Sequence, residues 1–188
     1  MIGFSVEGST DRAFLTGLQR RWRPNIKLIE GSFRGSSGLS LRREVPKICK
    51  ELSIKGAEVF VFLTDANDQD WREVKTRESR LIPSEYEQLT VYGVADRNVE
   101  CWLAADREYL SGRLNLDPSQ LNIPDPKDVI ERALGISGFF KAEEIASLVA
   151  EGPLRNWIVR SKSFADFYDD SRALSLQLNS PIPNERER

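Results

Sequence analysis

Acidic residues follow three apolar, strand-like segments of this chain, at the point where each segment ends. Glu7 and Asp11 follow the first segment, Asp65 follows the second, and Asp96 and Glu100 follow the third. Because parallel strands bring their carboxyl ends to one edge of a sheet, we expect these side chains to lie close together. Carboxylate oxygens suit hard divalent cations, which predicts a site for one or two Mg²⁺ or Mn²⁺ ions.

The second acidic segment continues beyond Asp65 with Asp68 and Asp70. Carboxylates at this spacing repel one another unless a cation joins them. A calcium-binding EF-hand loop would need Gly at its sixth position and Glu at its twelfth, where this chain has Asp70 and Thr76. The sequence leaves open which of Asn67, Asp68 and Asp70 would bind the metal. A solvated acidic loop is the simpler alternative here, as helix capping is for the other acids.

Composition limits the chemistry further. The chain has 188 residues, 40% of them hydrophobic and 30% charged, with a formal net charge of −2 and no histidine. Catalysis by Ser-His-Asp or Cys-His groups is therefore excluded, as are metal sites built on histidine. Cys49 and Cys101 form no zinc-binding set, and we interpret both as buried, reduced thiols.

No sequence feature indicates a membrane protein. No apolar stretch approaches the roughly 18 residues that a spanning helix needs, and the N-terminus lacks the features of a signal peptide. We therefore expect a globular protein of the cytoplasm.

The elements that must position the acids alternate along the chain. Apolar patterns predict strands at 2–6, 26–30, 58–63 and 89–95, with helices after each. This order predicts an α/β fold with a mostly parallel sheet of about four strands and flanking helices. We expect an α/β domain over 1–112, a helical extension over 113–180 and a polar, frayed tail over 181–188. The helix after the second strand should begin regularly at Pro46, and Asn98 should cap a helix that runs to about Tyr109.

Several of these segments resemble a known family. The stretch from Val6 to Asp11, which reads VEGSTD, resembles the first motif of TOPRIM domains, and Asp65 to Asp68 (DAND) resembles their DxD-like motif. The stretch from Asn98 to Asp106 (NVECWLAAD) is similar to the glutamate-tryptophan-leucine helix of the OLD-type (overcoming lysogenization defect) nuclease branch. The resemblance covers roughly residues 2–110. It implies a TOPRIM-like fold in which acids hold Mg²⁺ for phosphodiester chemistry.

On this basis the sequence predicts a metal-dependent nuclease that cuts or nicks DNA, with RNA as an open alternative. Glu7 and Asp11 would hold one ion, Asp65 with Asp68 or Asp70 the other, and Glu100 would complete or bridge the site. Glu7, Asp65 and Glu100 would be the catalytic acids. Lys162 is our candidate for the cation near the leaving group, with Arg160 beside it as a phosphate-binding candidate. Three further phosphate-binding candidates lie in or after the Gly/Ser loop at residues 31–38 (GSFRGSSG), namely Arg34, Arg42 and Arg43.

Two other readings remain open. In a receiver-like or phosphohydrolase-like domain, Asp65 would be phosphorylated with the help of Mg²⁺. In a noncatalytic module, the acids would bind a metal or a protein. Trp102 and Leu103 are expected in the core under every reading. A separate ATPase or another protein partner fits the resemblance, because this chain has no GxxxxGK[ST] segment. Phage defence and repair are the settings implied, and the oligomeric state is open.

Overall fold

The fold is an α/β arrangement built on one parallel sheet, as the sequence predicts. The computed structural model describes residues 1–32, 38–135 and 139–187, without the side chains of residues 38–43, 139 and 140. The sheet has four strands in the order β2-β1-β3-β4, and every neighbouring pair is parallel. The strands are β1 (Ile2–Val6), β2 (Leu28–Glu30), β3 (Val59–Asp65) and β4 (Thr90–Ala95).

Helices connect the strands and make up the C-terminal part. Between the strands lie α1 (Ser9–Trp22), α2 (Gly38–Ile54), α3 (Trp71–Ser79) and the short α4 (Ser84–Glu87). After β4 come α5 (Val99–Leu103), α6 (Arg107–Leu114), a 3₁₀ turn (Pro118–Leu121), α7 (Lys127–Leu134), α8 (Phe139–Glu151), α9 (Leu154–Arg160) and α10 (Lys162–Gln177). None of the helices described here is long and apolar enough to cross a membrane.

Each face of the sheet packs against its own apolar core. On one face, Phe60, Phe62 and Tyr92 pack with the buried sides of α2 and α3. On the other, the aromatic side chains of α1, α5, α9 and α10 form a larger core. Trp102 and Leu103 are fully buried in this second core, as predicted, and the Trp102 indole donates to Ser163 Oγ at 2.7 Å. The helical extension therefore packs on the same face of the sheet as α1.

Two helix boundaries differ from the prediction. Helix α2 begins at Gly38, eight residues before the predicted start, and Pro46 lies inside it. A proline in a helix removes one backbone hydrogen bond, but the burial of Val45, Ile48 and Leu52 favours the helix around it. The predicted single helix after Asn98 is two helices, because Asp106 accepts a hydrogen bond from the Tyr109 N–H and starts α6 afresh.

The polar tail is anchored rather than frayed. Glu185 is only 1% exposed, and its carboxylate accepts hydrogen bonds from Arg21 at 2.7 and 2.8 Å and from the Trp22 indole at 3.1 Å. The Glu185 N–H also donates to Tyr168 Oη at 2.8 Å. The prediction failed here because an acidic side chain in a polar segment has its partners on α1, more than 160 residues away in the chain.

Both cysteines are free thiols. Cys49 is buried in α2 and Cys101 is partly buried in α5. Burial raises the pKa of each thiol to about 11. Both thiols are therefore protonated near neutral pH, which agrees with a structural role.

Candidate functional site

The register of the sheet brings the first two acids to the same edge. β1 and β3 pair in parallel with Val6 opposite Leu63, so Glu7 follows β1 close to where Asp65 ends β3. The pairing of β3 with β4 extends past the strands, because the Ala66 N–H donates to Ala95 O at 2.9 Å. The carboxyl ends of the three strands thus meet, as the sequence predicts.

Helices α1 and α5 add one buried carboxylate each. Asp11, in the first turn of α1, is 4% exposed and accepts a hydrogen bond from the Gly8 N–H at 2.8 Å. Glu100, in the first turn of α5, is 3% exposed, and Asn98 caps this helix by accepting from the Cys101 N–H at 3.1 Å. Helix capping explains the hydrogen bonds of Asp11 Oδ2 and of the Asn98 side chain, but it does not explain why the Glu100 carboxylate is buried.

We call Glu7, Asp11, Asp65 and Glu100 the acidic cluster. Burial raises the pKa of Asp65 to about 8, and the charges of Asp11, Glu7 and Glu100 add to this effect. Burial also raises the pKa of Asp11 and the pKa of Glu100. These carboxylates lie close enough to disfavour one another's charge, which is the relationship that a bound cation would relieve.

Two oxygens of the acidic cluster have no hydrogen-bond partner in the described part of the chain. Asp65 Oδ1 and Glu100 Oε1 are both buried and accept no hydrogen bond from the described residues. Buried carboxylates normally have hydrogen-bond donors, cations or a proton to offset lost hydration. Two unpartnered acceptor oxygens on neighbouring elements are therefore well suited to a hard cation.

The cluster is not arranged as a complete coordination shell. Within the described ranges, no three His, Cys, Asp or Glu side chains surround one point as metal ligands do. The donor chemistry fits Mg²⁺ or Mn²⁺, and Mg²⁺ commonly keeps several waters beside one or two carboxylates. Coordination here therefore calls for rotation of carboxylates, or for water and phosphate oxygens as further ligands.

Sequence reasoning missed a lysine beside the acids. Lys127 is the first residue of α7, and its backbone N–H donates to Asp125 Oδ1 at 3.1 Å. The same oxygen accepts from Asn98 Nδ2 at 2.9 Å, so Asp125 joins the first turns of α5 and α7. The segment Asp125-Pro126-Lys127 predicts the start of a helix, but the local sequence does not predict that this helix starts near Glu100.

The charge of Lys127 acts on three acids of the cluster, Asp11, Asp65 and Glu100. Burial alone would lower the pKa of Lys127, but the charges of Glu100, Asp65, Glu131 and Asp11 outweigh burial and raise it. In return, the ammonium group lowers the pKa values of Asp65 and Glu100 from where burial would otherwise set them. Lys127 is thus a protein-derived cation at the edge of the acidic cluster.

The other predicted acids have different partners. Asp68 is exposed and forms an ion pair with Arg97. Asp70 caps α3 by accepting from the Arg72 N–H at 2.8 Å. Asp96 is exposed. Asp68 and Asp70 thus already have partners of their own in this structure, and their part in a metal site with Asp65 stays a prediction.

These three acids line a groove instead. The groove has a volume of about 1180 Å³, and its lining residues Asn67, Cys101 and Pro126 neighbour Asp65, Glu100 and Lys127 in the chain. Five basic and four acidic side chains contribute to it, namely Arg72, Arg97, Arg107, Arg160, Lys162, Asp68, Asp70, Asp96 and Glu108. The groove therefore runs from beside the acidic cluster over a surface of mixed charge.

The predicted phosphate-binding residues are only partly placed together. Lys162 begins α10, is exposed and lines the groove. Arg160 lines it too, and its Nη1 lies 3.3 Å from Asp106 Oδ1, so this guanidinium is already partly neutralised. Arg34 lies outside the described residues, and Arg42 and Arg43 are described only as backbone of α2.

Comparison with known proteins adds no relative. No family model, no curated protein and no solved structure matches this chain. The resemblance to TOPRIM domains thus depends on the motifs quoted above.

Proposed function

We propose that this protein is a divalent-metal-dependent phosphodiester hydrolase that cuts or nicks DNA. The observation that carries the proposal is a pair of buried oxygens at the edge where three parallel strands end, Asp65 Oδ1 and Glu100 Oε1, which have no partner among the residues described. A fold alone does not determine activity, so the proposal depends on this donor set, which suits a hard divalent cation. The TOPRIM-like and OLD-type motifs agree with the proposal.

The acidic cluster would hold the ion or ions. Asp65 and Glu100 offer the unpartnered oxygens, Glu7 adds a half-buried carboxylate, and Asp11 has one oxygen not used by the Gly8 N–H. When bound, the metal supplies a Lewis acid for phosphate oxygens and lowers the pKa of a bound water. A carboxylate of the cluster that does not bind the metal would accept the proton of the attacking water.

The basic residues would orient the substrate. Lys127 adds a positive charge at the edge of the cluster, where a phosphate would approach, and Lys162 and Arg160 lie along the groove. Lysine and arginine contacts to phosphate fix the position of a strand without reading its sequence. The groove's mixed charge and the net charge of −2 favour a defined substrate over general attraction to polyanions.

Cleavage assays test this proposal. Supercoiled plasmid, single-stranded DNA and RNA are incubated with the protein in Mg²⁺, Mn²⁺ or EDTA. We expect metal-dependent cleavage that is lost in Asp65→Asn and Glu100→Gln and kept in Glu143→Gln, an exposed carboxylate paired with Arg20. Cleavage that persists in both cluster variants, or in EDTA, would refute the assignment. If metal stabilises the protein but no cleavage is seen, the assay is repeated with an ATPase or another protein partner added.

One observation favours a second candidate. Lys127 brings an ammonium group near Asp65, the last residue of the central strand β3. This pairing suits a phosphorylated aspartate, whose added charge a lysine and Mg²⁺ would offset. Incubation with labelled acetyl phosphate separates the two functions, because only the second predicts stoichiometric, Asp65-dependent incorporation of phosphate.

A further inference from the structure

A second cavity lies at the opposite edge of the sheet from the acidic cluster. It has a volume of about 650 Å³ and opens near the starts of β1, β3 and β4. Its floor is the buried face formed by Phe4, Val91 and Phe167. Its walls come from α1, through Leu18 and Trp22, and from the chain around the end of α10.

Side chains of a central strand reveal that this space is unfilled. Val59 and Val61 belong to β3, which has neighbours on both sides, yet both are only partly buried. A central strand of a parallel sheet is normally covered on both faces. The described helices cover this face near the carboxyl ends of the strands and leave it open near the strand starts.

The polar groups around the cavity favour one sign of charge. Glu58 lines it, but the carboxylate is already paired with the amino group of Met1 at 2.6 Å. Gln19 Nε2 lies 2.7, 3.2 and 2.9 Å from the carbonyl oxygens of Arg23, Pro24 and Ile26, so its two N–H donors are already used within the protein. Arg23 is half-buried and lines the same cavity, and its side chain has no hydrogen-bond or ion-pair partner among the described residues.

From this arrangement we infer a binding site for an amphipathic anion with a linear apolar tail, such as a medium-chain carboxylate. The tail lies along Val59, Val61 and Leu18, and the head group accepts hydrogen bonds from Arg23. The volume is within the range of small-molecule sites, and a planar guanidinium suits a carboxylate. This inference does not depend on the proposed hydrolase activity.

Calorimetric titration with dodecanoate, below its micelle-forming concentration, tests the site. We expect saturable binding that strengthens about fourfold for each added methylene from octanoate to dodecanoate. Dodecyltrimethylammonium should bind at least about tenfold more weakly, since charge-assisted contacts are worth roughly 1.4 kcal/mol or more. Absence of binding, or equal affinity for the cation, would overturn the inference.

Two variants locate the ligand. Val61→Phe fills the cavity and should weaken dodecanoate and dodecanol alike, whereas Arg23→Gln should weaken only dodecanoate. Asp65→Asn is the matched control and should bind as the wild type does, because Asp65 lies at the opposite edge. Sedimentation of the free protein completes the test: if a second copy covers this face, a dimer will form and dodecanoate will not bind, which refutes the site.

Discussion

The Asn98 side-chain amide donates to Asp125 Oδ1 at 2.9 Å, and this bond joins the starts of α5 and α7. Asn98 caps α5, which carries Glu100, and Asp125 lies just before α7, which begins with Lys127. The helical extension thus contributes both Asp125 and Lys127 to the surroundings of the candidate site. Residues 113–180 are therefore part of the site's construction as well as a cover for the core.

The Asp125 link should matter for both stability and metal binding. Asp125→Ala removes the acceptor of the Asn98 amide and of the Lys127 N–H, and we expect a loss of about 1–2 kcal/mol. Urea unfolding measures this loss. Asp117→Ala, which removes a similar cap at Ser119 away from the cluster, is the control. If metal affinity falls equally in both variants, Asp125 has no specific role.

Lys127 should behave as a cation that partly offsets the cluster's charge. Lys127→Met increases repulsion among the acids, so without metal we expect a lower melting temperature, by about 2–4 °C for each kcal/mol lost. Added Mg²⁺ should then stabilise the variant more than the wild type. Lys47→Met, at an exposed lysine paired with Glu44, gives the comparison. Equal Mg²⁺ effects in both variants would argue against this role.

The metal-free protein should lose stability as pH rises through the range set by Asp65. The folded state raises the pKa of this carboxyl from 3.8 to about 8. Between these values the folded protein holds a proton that the unfolded chain has released, so unfolding becomes easier as pH increases. In Asp65→Asn, the melting temperature measured in EDTA should depend less on pH between pH 4 and pH 8.5 than it does in the wild type. Asp169→Asn, at an exposed carboxylate, should show the same dependence of melting temperature on pH as the wild type. An equal pH dependence in Asp65→Asn and the wild type would contradict this account.

The anchored tail should contribute strongly to stability. Glu185→Ala leaves the mostly buried Arg21 guanidinium without its carboxylate, and we expect a cost of about 3 kcal/mol. Denaturant unfolding of Glu187→Ala, two residues further on and exposed, provides the baseline. A loss no larger than that of the control would show that the tail's contacts are weak in solution.

The sequence predicted what local patterns determine. Apolar runs located the four strands, and parallel pairing then required Glu7 and Asp65 to share an edge, which the register of β1 and β3 confirms. It did not locate Lys127, because only the packing of α7 against α5 brings that residue near Glu100. The ion pair of Asp68 with Arg97 was not predicted for a related reason, since Arg97 lies in the loop after β4.

Direct titration of the purified protein with Mn²⁺ tests the central claim most closely. We expect saturable binding of one or two ions in the wild type, weakened at least about tenfold, or roughly 1.4 kcal/mol, in both Asp65→Asn and Glu100→Gln. Glu143→Gln should bind as the wild type does. Unchanged affinity in the two cluster variants, or no binding at millimolar Mn²⁺, would contradict a metal site at this edge of the sheet.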